Sequence, residues 1–142
     1  MKSSIIYYGI IPLGGSKMND YIINFLKEIM AIDSPSGYTK EVIHHCQKEA
    51  ENLGFHTHQT NKGNLEIYVE GQDDYTVGFC GHVDTLGLMV RSIKSDGTLA
   101  FTNVGGPIIP TLDGEYCRIH TRSGKCYTGT ILSNYPAVHV YK

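Results

Sequence analysis

The stretch that decides the organisation of the chain is Thr76-Val77-Gly78-Phe79-Cys80-Gly81-His82-Val83-Asp84-Thr85-Leu86-Gly87. It opens with a short apolar run, which is typical of a buried strand. It then places an imidazole and a carboxylate two residues apart, and in extended backbone residues i and i+2 point to the same face. We therefore expect His82 and Asp84 to act on one site at the end of this strand, where open α/β sheets tend to bind ligands.

The pair of His82 and Asp84 has two interpretations. A histidine that binds a metal usually gives its other ring N–H to a carboxylate, which fixes the tautomer and the aim of the ring. On this interpretation His82 is a metal ligand and Asp84 orients it. The alternative is a purely structural pair, because short motifs of this kind also arise by chance. One ligand does not complete a site, since catalytic zinc takes about three protein ligands.

Composition predicts a soluble globular protein with one domain or parts of two. The 142 residues are 41% hydrophobic and 18% charged, and the net charge is −2. The sequence has no basic patch and no long apolar run, so we expect neither a nucleic acid nor a membrane as partner. Four cysteines without a Cys-x-x-Cys motif favour the reducing cytoplasm. We expect Cys46 in a helix and Cys80 in a buried strand, and a disulfide between Cys117 and Cys126 stays open.

Residues 1–17 differ in character from the rest of the chain. Lys2 followed by an apolar run resembles the start of a signal peptide, but no small-x-small cleavage site follows. Met18 heads a helical pattern, and the codons for Gly14-Gly15 would be those of a purine-rich ribosome-binding site. We therefore predict that residues 1–17 are a non-native or disordered extension and that translation starts at Met18.

Hydrophobic periodicity predicts a helix-and-strand layer before Gly87 and an all-β segment after it. One helix starts near Asn19, with Asn19 or Asp20 as its N-cap. A second helix is predicted at 39–53, and two strands joined by a turn at 55–60 and 65–69. Four further short strands follow, at 88–93, 98–102, 116–121 and 126–132. Regular spacing of the last four strands between Gly-containing turns is typical of a small antiparallel barrel or sandwich.

Other histidines are weaker candidates for a metal site. His56 and His58 share one face of a predicted strand, but no carboxylate or cysteine stands beside them in the sequence, so we interpret them as exposed. His44 and His45 are neighbours on a helix and point about 100° apart. We interpret these two as surface or rim residues.

Several motifs in order make the chain resemble a known family. Together they look like the amino-terminal part of the glutamyl-aminopeptidase, or tetrahedral aminopeptidase, family of dinuclear metallopeptidases. The resemblance covers nearly all of residues 18–142. Its motifs are Pro35-Ser36-Gly37-Tyr38-Thr39, Asn61-Lys62-Gly63-Asn64-Leu65, Gly81 to Val90, Asp96-Gly97-Thr98-Leu99 and Val104-Gly105-Gly106.

The resemblance implies an α/β fold and a hydrolytic function. Residues 18–86 would be the amino-terminal part of the α/β catalytic domain, and 87–142 part of an inserted, antiparallel β-barrel-like domain. Members release N-terminal residues from peptides with a metal-activated water, and they use two divalent ions, for which Zn, Co or Mn are suitable. By resemblance, His82 is a ligand of one ion and Asp84 is the catalytic-site residue that orients it. The peptide is the substrate, and the full-length protein would be a homo-oligomer.

Two departures from the family pattern narrow this expectation. Thr85 stands where many members carry Glu. The remaining metal ligands and the general base of the family lie in a carboxy-terminal part, and His120 and His139, in the inserted-domain region, do not replace them. We therefore expect a fragment of a cytoplasmic aminopeptidase that is inactive by itself. Two alternatives are a non-catalytic β-domain module for oligomerisation and a related metallohydrolase that acts on acylated amino acids.

Overall fold

The computed structural model describes residues 15–72 and 74–133. Two helices come first and six strands follow, in the order predicted from the sequence. A 3-10 helix, Ile109–Leu112, lies between the fourth and fifth strands. The elements are α1 (Gly15–Ala31), α2 (Lys40–Asn52), β1 (His56–Gln59), β2 (Leu65–Tyr68), β3 (Gly87–Ile93), β4 (Leu99–Val104), β5 (Tyr116–His120) and β6 (Cys126–Thr130).

Helix α2 lies between α1 and the β1–β2 hairpin, and the small core sits on it. Val42 and Ala50 of α2 are the hydrophobic residues that are buried within the described part of the chain. The Tyr21 hydroxyl of α1 donates to Glu49 Oε1 of α2 at 2.7 Å. Partial burial, together with this bond to a carboxylate, raises the pKa of Tyr21 to about 12.

Helix α1 begins at Gly15 and has one apolar face that is left uncovered by the described residues. Asn19 lies inside the helix, so the predicted N-cap there is wrong. Ile22, Leu26 and Met30, at i, i+4 spacing, are 55%, 52% and 63% exposed. The helical periodicity found the apolar face correctly, although no described element packs on it. Residues 1–14 lie outside the described residues, so the interpretation of 1–17 as an extension stays a prediction.

The six strands form three separate antiparallel hairpins, β1–β2, β3–β4 and β5–β6. Each is closed by a tight turn, and Gly63, Gly97 and Gly124 in these turns have positive φ. The register of β3–β4 shifts between Val90 and Ser92, which marks a bulge. Within the described residues the sheets are small and open, and they do not close into a barrel.

The predicted buried strand at 76–80 is wrong in this structure. The segment has no strand partner among the described residues, Phe79 is 96% exposed, and Cys80 is exposed as well. A strand needs neighbours that accept and donate its backbone hydrogen bonds, and a sequence pattern does not supply them. The four cysteines are free. Cys117 pairs across the hairpin with Gly129 rather than with Cys126.

Within residues 15–72 and 74–133, neither helix has the length and apolar character needed to cross a membrane.

Candidate metal site

His82 and Asp84 form a hydrogen-bonded pair, as the sequence predicted. The ring Nδ1 lies 2.9 Å from Asp84 Oδ1, and the two side chains are 83% and 38% exposed. Since an ionised carboxylate only accepts hydrogen bonds, Nδ1 carries the proton of a neutral ring. Nε2 then presents its lone pair to solvent, which is the arrangement of a histidine that binds a metal.

The second oxygen of Asp84 is held by Ser36, a residue of the Pro35 to Thr39 motif to which the sequence assigned no role at the site. The Ser36 hydroxyl donates to Asp84 Oδ2. This bond, and after it the bond from His82, lowers the pKa of the Asp84 carboxyl below its ordinary value. Asp84 is therefore ionised at neutral pH and serves as an acceptor on both sides.

Ser36 reaches Asp84 because the Ser34–Ser36 segment runs beside Val83–Thr85. Ser34 is fully buried, and its hydroxyl donates to the Val83 carbonyl at 3.1 Å. The Thr85 amide donates to the Ser34 carbonyl at 2.8 Å, and Pro35 and Thr85 form a parallel bridge. These contacts fix the backbone on both sides of the His82–Asp84 pair.

Gly87 allows the Ser34–Ser36 segment to approach this closely. A Cβ atom at Gly87 would lie 2.5 Å from the Pro35 Cβ atom, which is a severe overlap. A glycine is therefore needed here for close backbone approach rather than for an unusual φ. Gly87 thus has a packing role, in addition to the chemistry of His82 and Asp84 in the same stretch.

Asp33, directly before this segment, is held by two basic side chains of β5. Arg118 Nε donates to Asp33 Oδ2 at 2.6 Å, and its terminal nitrogen donates to Oδ1. His120 Nε2 lies 2.7 Å from the same Oδ2, and the Tyr38 ring lies 5.2 Å from the His120 ring. The Arg118 guanidinium holds the pKa of Asp33 below its ordinary value, and Asp33 raises that of Arg118.

The remaining histidines lie apart from the His82–Asp84 pair. His56 and His58 are exposed on β1, and His44 is exposed on α2. His45 is half-buried beside α1, where its Nε2 atom lies 3.1 Å from Glu28 Oε2. His139 lies outside the described residues.

The described residues do not form a complete metal centre. Across 15–72 and 74–133, no group of three or more His, Cys, Asp or Glu side chains is placed to hold an ion. His82 itself fits the role, because its bonded Nδ1 and open Nε2 are what a ligand requires. Further ligands would have to come from elsewhere.

Comparisons with known proteins agree with the resemblance of the motifs. The sequence model of the family described as M42 glutamyl aminopeptidase matches residues 63–142. The Bacillus subtilis (strain 168) protein named "Putative aminopeptidase YhfE" is 42% identical over 121 residues, which are 84% of this chain and 35% of that protein. The TET aminopeptidase of the marine sediment archaeon Thaumarchaeota archaeon SCGC AB-539-E09 has a TM-score of 0.74 at 28% identity, over 81% of this chain and 32% of that one.

The fold and these matches define the class of the protein as aminopeptidase-related. More particularly, the chain belongs to the M42 glutamyl aminopeptidase family, because the family match covers more than half of its residues. The family predicted from the ordered motifs is therefore confirmed. The chain spans about one third of the length of the relatives that it matches.

Proposed function

We propose that this chain is the amino-terminal part of a cytoplasmic, metal-dependent aminopeptidase that releases N-terminal residues from peptides. In this proposal the hairpins β3–β4 and β5–β6 belong to an inserted β-barrel-like domain. His82 is a ligand of one of two divalent ions. The observation that carries the proposal is the His82 ring itself, with Nδ1 bonded to Asp84 and Nε2 open to solvent.

The donor set suits zinc, cobalt or manganese, since imidazole and carboxylate groups bind all three. When bound, such ions lower the pKa of water and stabilise the negative charge that develops during peptide hydrolysis. The residues of this chain do the orienting. Asp84 keeps the proton on Nδ1 and fixes the plane of the His82 ring, and Ser36 holds the other oxygen of Asp84.

A zinc titration followed by NMR of the histidine rings tests the proposed role of His82. We expect zinc to perturb the ring signals of His82 at a lower concentration than those of His44, which is an exposed histidine on α2 without an Asp partner two residues away. Asp84→Asn should remove this preference, since partners of ligating histidines typically contribute 10- to 100-fold in metal affinity. Equal responses of the two rings would contradict the metal role.

We propose further that the 142-residue chain is inactive by itself, because one imidazole cannot retain a catalytic ion that needs about three protein ligands. Incubation with zinc or cobalt and aminoacyl-anilide substrates should release no product. Turnover that is lost in His82→Ala would show instead that the chain forms a working centre.

Assembly into a homo-oligomer is proposed for the β hairpins as a second role. The observation in its favour is a set of exposed apolar side chains on one face of β3–β4, where Val90 pairs with Phe101: Val90 is 46% exposed, Phe101 37% and Ile93 75%. Exposed apolar groups that lie together on one face mark a candidate interaction surface. Sedimentation analysis of the chain should detect self-association, and a monomer at all concentrations would contradict this role while leaving the peptidase proposal intact.

A further inference from the structure

The loop between α1 and α2 is held by two distant parts of the chain. Val83 and Thr85 hydrogen-bond to Ser34, next to the proposed metal ligand. Arg118 and His120 of β5 bind the carboxylate of Asp33. Asp33 and Ser34 are consecutive residues, so a single peptide unit joins the two sets of contacts.

The contacts of Arg118 restrain the Asp33 side chain and the nearby backbone at Ala31. Arg118 binds both carboxylate oxygens in a fork, a geometry that fixes orientation as well as charge. The same guanidinium reaches the Ala31 carbonyl at 3.4 Å. The Asp33 side chain is 28% exposed, whereas that of Arg118 is 55% exposed, so the carboxylate lies in the more enclosed position.

Hydrogen bonds, joined to one another by the backbone of residues 33–36, connect the Asp33 carboxylate to the ring of His82. Asp33 fixes the start of the Ser34–Ser36 segment, and Ser34 locks this segment on Val83 and Thr85. Ser36 then binds one oxygen of Asp84, and the other oxygen binds His82 Nδ1 at 2.9 Å. None of these residues except His82 and Asp84 has a metal role in the proposed function.

We propose that Asp33, gripped by Arg118 of β5, is a positioning residue for His82. It acts through the Ser34–Ser36 segment, which keeps Ser36 on Asp84 and thereby fixes the direction of the His82 ring. The β5–β6 hairpin thus contributes to the metal site without supplying a ligand to it. This inference rests on the proposed metal role of His82.

The test measures local opening and ring geometry in the 142-residue chain without metal. Asp33→Asn and Arg118→Gln should each raise hydrogen exchange of the Thr85 amide about threefold to tenfold, the range expected for a partly exposed, charge-assisted contact. Exchange of the Ala50 amide, which is buried in the last turn of α2, should stay unchanged. Both variants should also move the NMR chemical shifts of the His82 ring nitrogens towards those of Ser36→Ala, which lacks the hydrogen bond from Ser36 to Asp84.

A matched control and a double-mutant cycle separate this effect from a general loss of charge. Glu115→Gln removes one carboxylate from the residue directly before β5, whose amide donates to the Leu112 carbonyl and whose carbonyl accepts from the Ile131 amide. Hydrogen exchange of its Thr85 amide should match that of the wild type. Thr85 exchange in the double variant Asp33→Asn, Arg118→Gln should rise no further than in the single variants, because both substitutions remove the same contact.

Four results would overturn the proposal. They are unchanged exchange at Thr85, equal rises at Thr85 and Ala50 in both single variants, additive effects in the double variant, and His82 ring shifts that do not follow Ser36→Ala. A separate zinc titration of the wild type tests the proposed function. If zinc does not perturb the His82 ring while Asp33→Asn still raises exchange at Thr85, the proposed function is wrong and the coupling of Asp33 to Thr85 is supported. If zinc perturbs the His82 ring and Asp33→Asn leaves exchange at Thr85 unchanged, only the coupling is wrong.

Discussion

Residues 76–81 and 83–87 are separated in the chain only by His82, yet their environments are opposite. Phe79 in the first segment is 96% exposed and the segment has no strand partner within the described residues. The second segment is bound on one side by Ser34, which is fully buried, and by Pro35. The difference shows that a segment is held here by contacts with the distant loop between α1 and α2. The apolar character of the segment does not decide whether it is held.

The largest expected effect comes from breaking the close contact in the second segment. Gly87→Ala would place a Cβ atom 2.5 Å from that of Pro35. Relief of the overlap must shift the Ser34–Ser36 segment, and such overpacking typically costs about 1–3 kcal/mol. Urea denaturation should therefore show a clearly lower midpoint for this variant.

Gly78→Ala is the matched control for Gly87→Ala. A Cβ atom at Gly78, in the first segment, would meet no atom within 4 Å. We expect this variant to unfold at the wild-type midpoint or slightly above it. If both glycine variants were equally unstable, the contrast between the two segments would be wrong.

The sequence predicted the helices and hairpins well because their determinants are local. The turn at Asn61 to Asn64 and the turn at Asp96-Gly97 lie directly between the strands that they join, and the structure has β1–β2 and β3–β4 around them. The predicted strand at 76–80 fails for the complementary reason. Its pattern is apolar enough, but no described strand pairs with it.

The site was predicted only where its residues are close in sequence. His82 and Asp84 are two positions apart, and their pairing followed from strand geometry. Ser36 binds Asp84 from 48 positions away, and Arg118 binds Asp33 from 85 positions away. Pro35 to Thr39 entered the sequence analysis only as a family motif, because no short-range pattern indicates a contact across such separations.

A smaller effect is expected from acid, which should weaken the contacts that hold the second segment. Arg118 lowers the pKa of Asp33 in the folded chain, whereas the unfolded value is about 3.9. The contribution of this carboxylate is therefore present above the unfolded pKa and is lost as the pH falls through the folded one. Between about pH 5 and pH 2 the wild type should lose more stability than Asp33→Asn, by less than about 1 kcal/mol because the pair is partly exposed.

The measurement is urea denaturation of both proteins at a series of pH values. A second series carries Asp84→Asn in both proteins, because the pKa of Asp84 is also lowered, mainly by Ser36, and would otherwise contribute to the difference. Parallel pH profiles would show that the Asp33 carboxylate contributes nothing to stability, and would weaken the view that β5 holds the loop between α1 and α2.

The smallest effect is expected in the first segment. Phe79→Ser removes a large apolar side chain that gains almost no burial in this chain, so the free energy of unfolding should change by less than about 0.5 kcal/mol. Val42→Ala, in the core on α2, removes two fully buried methyl groups and should cost about 2 kcal/mol. Urea denaturation compares the two directly. A loss in Phe79→Ser as large as that in Val42→Ala would mean that Phe79 is covered in solution, and the segment at 76–81 would then be as firmly held as its neighbour.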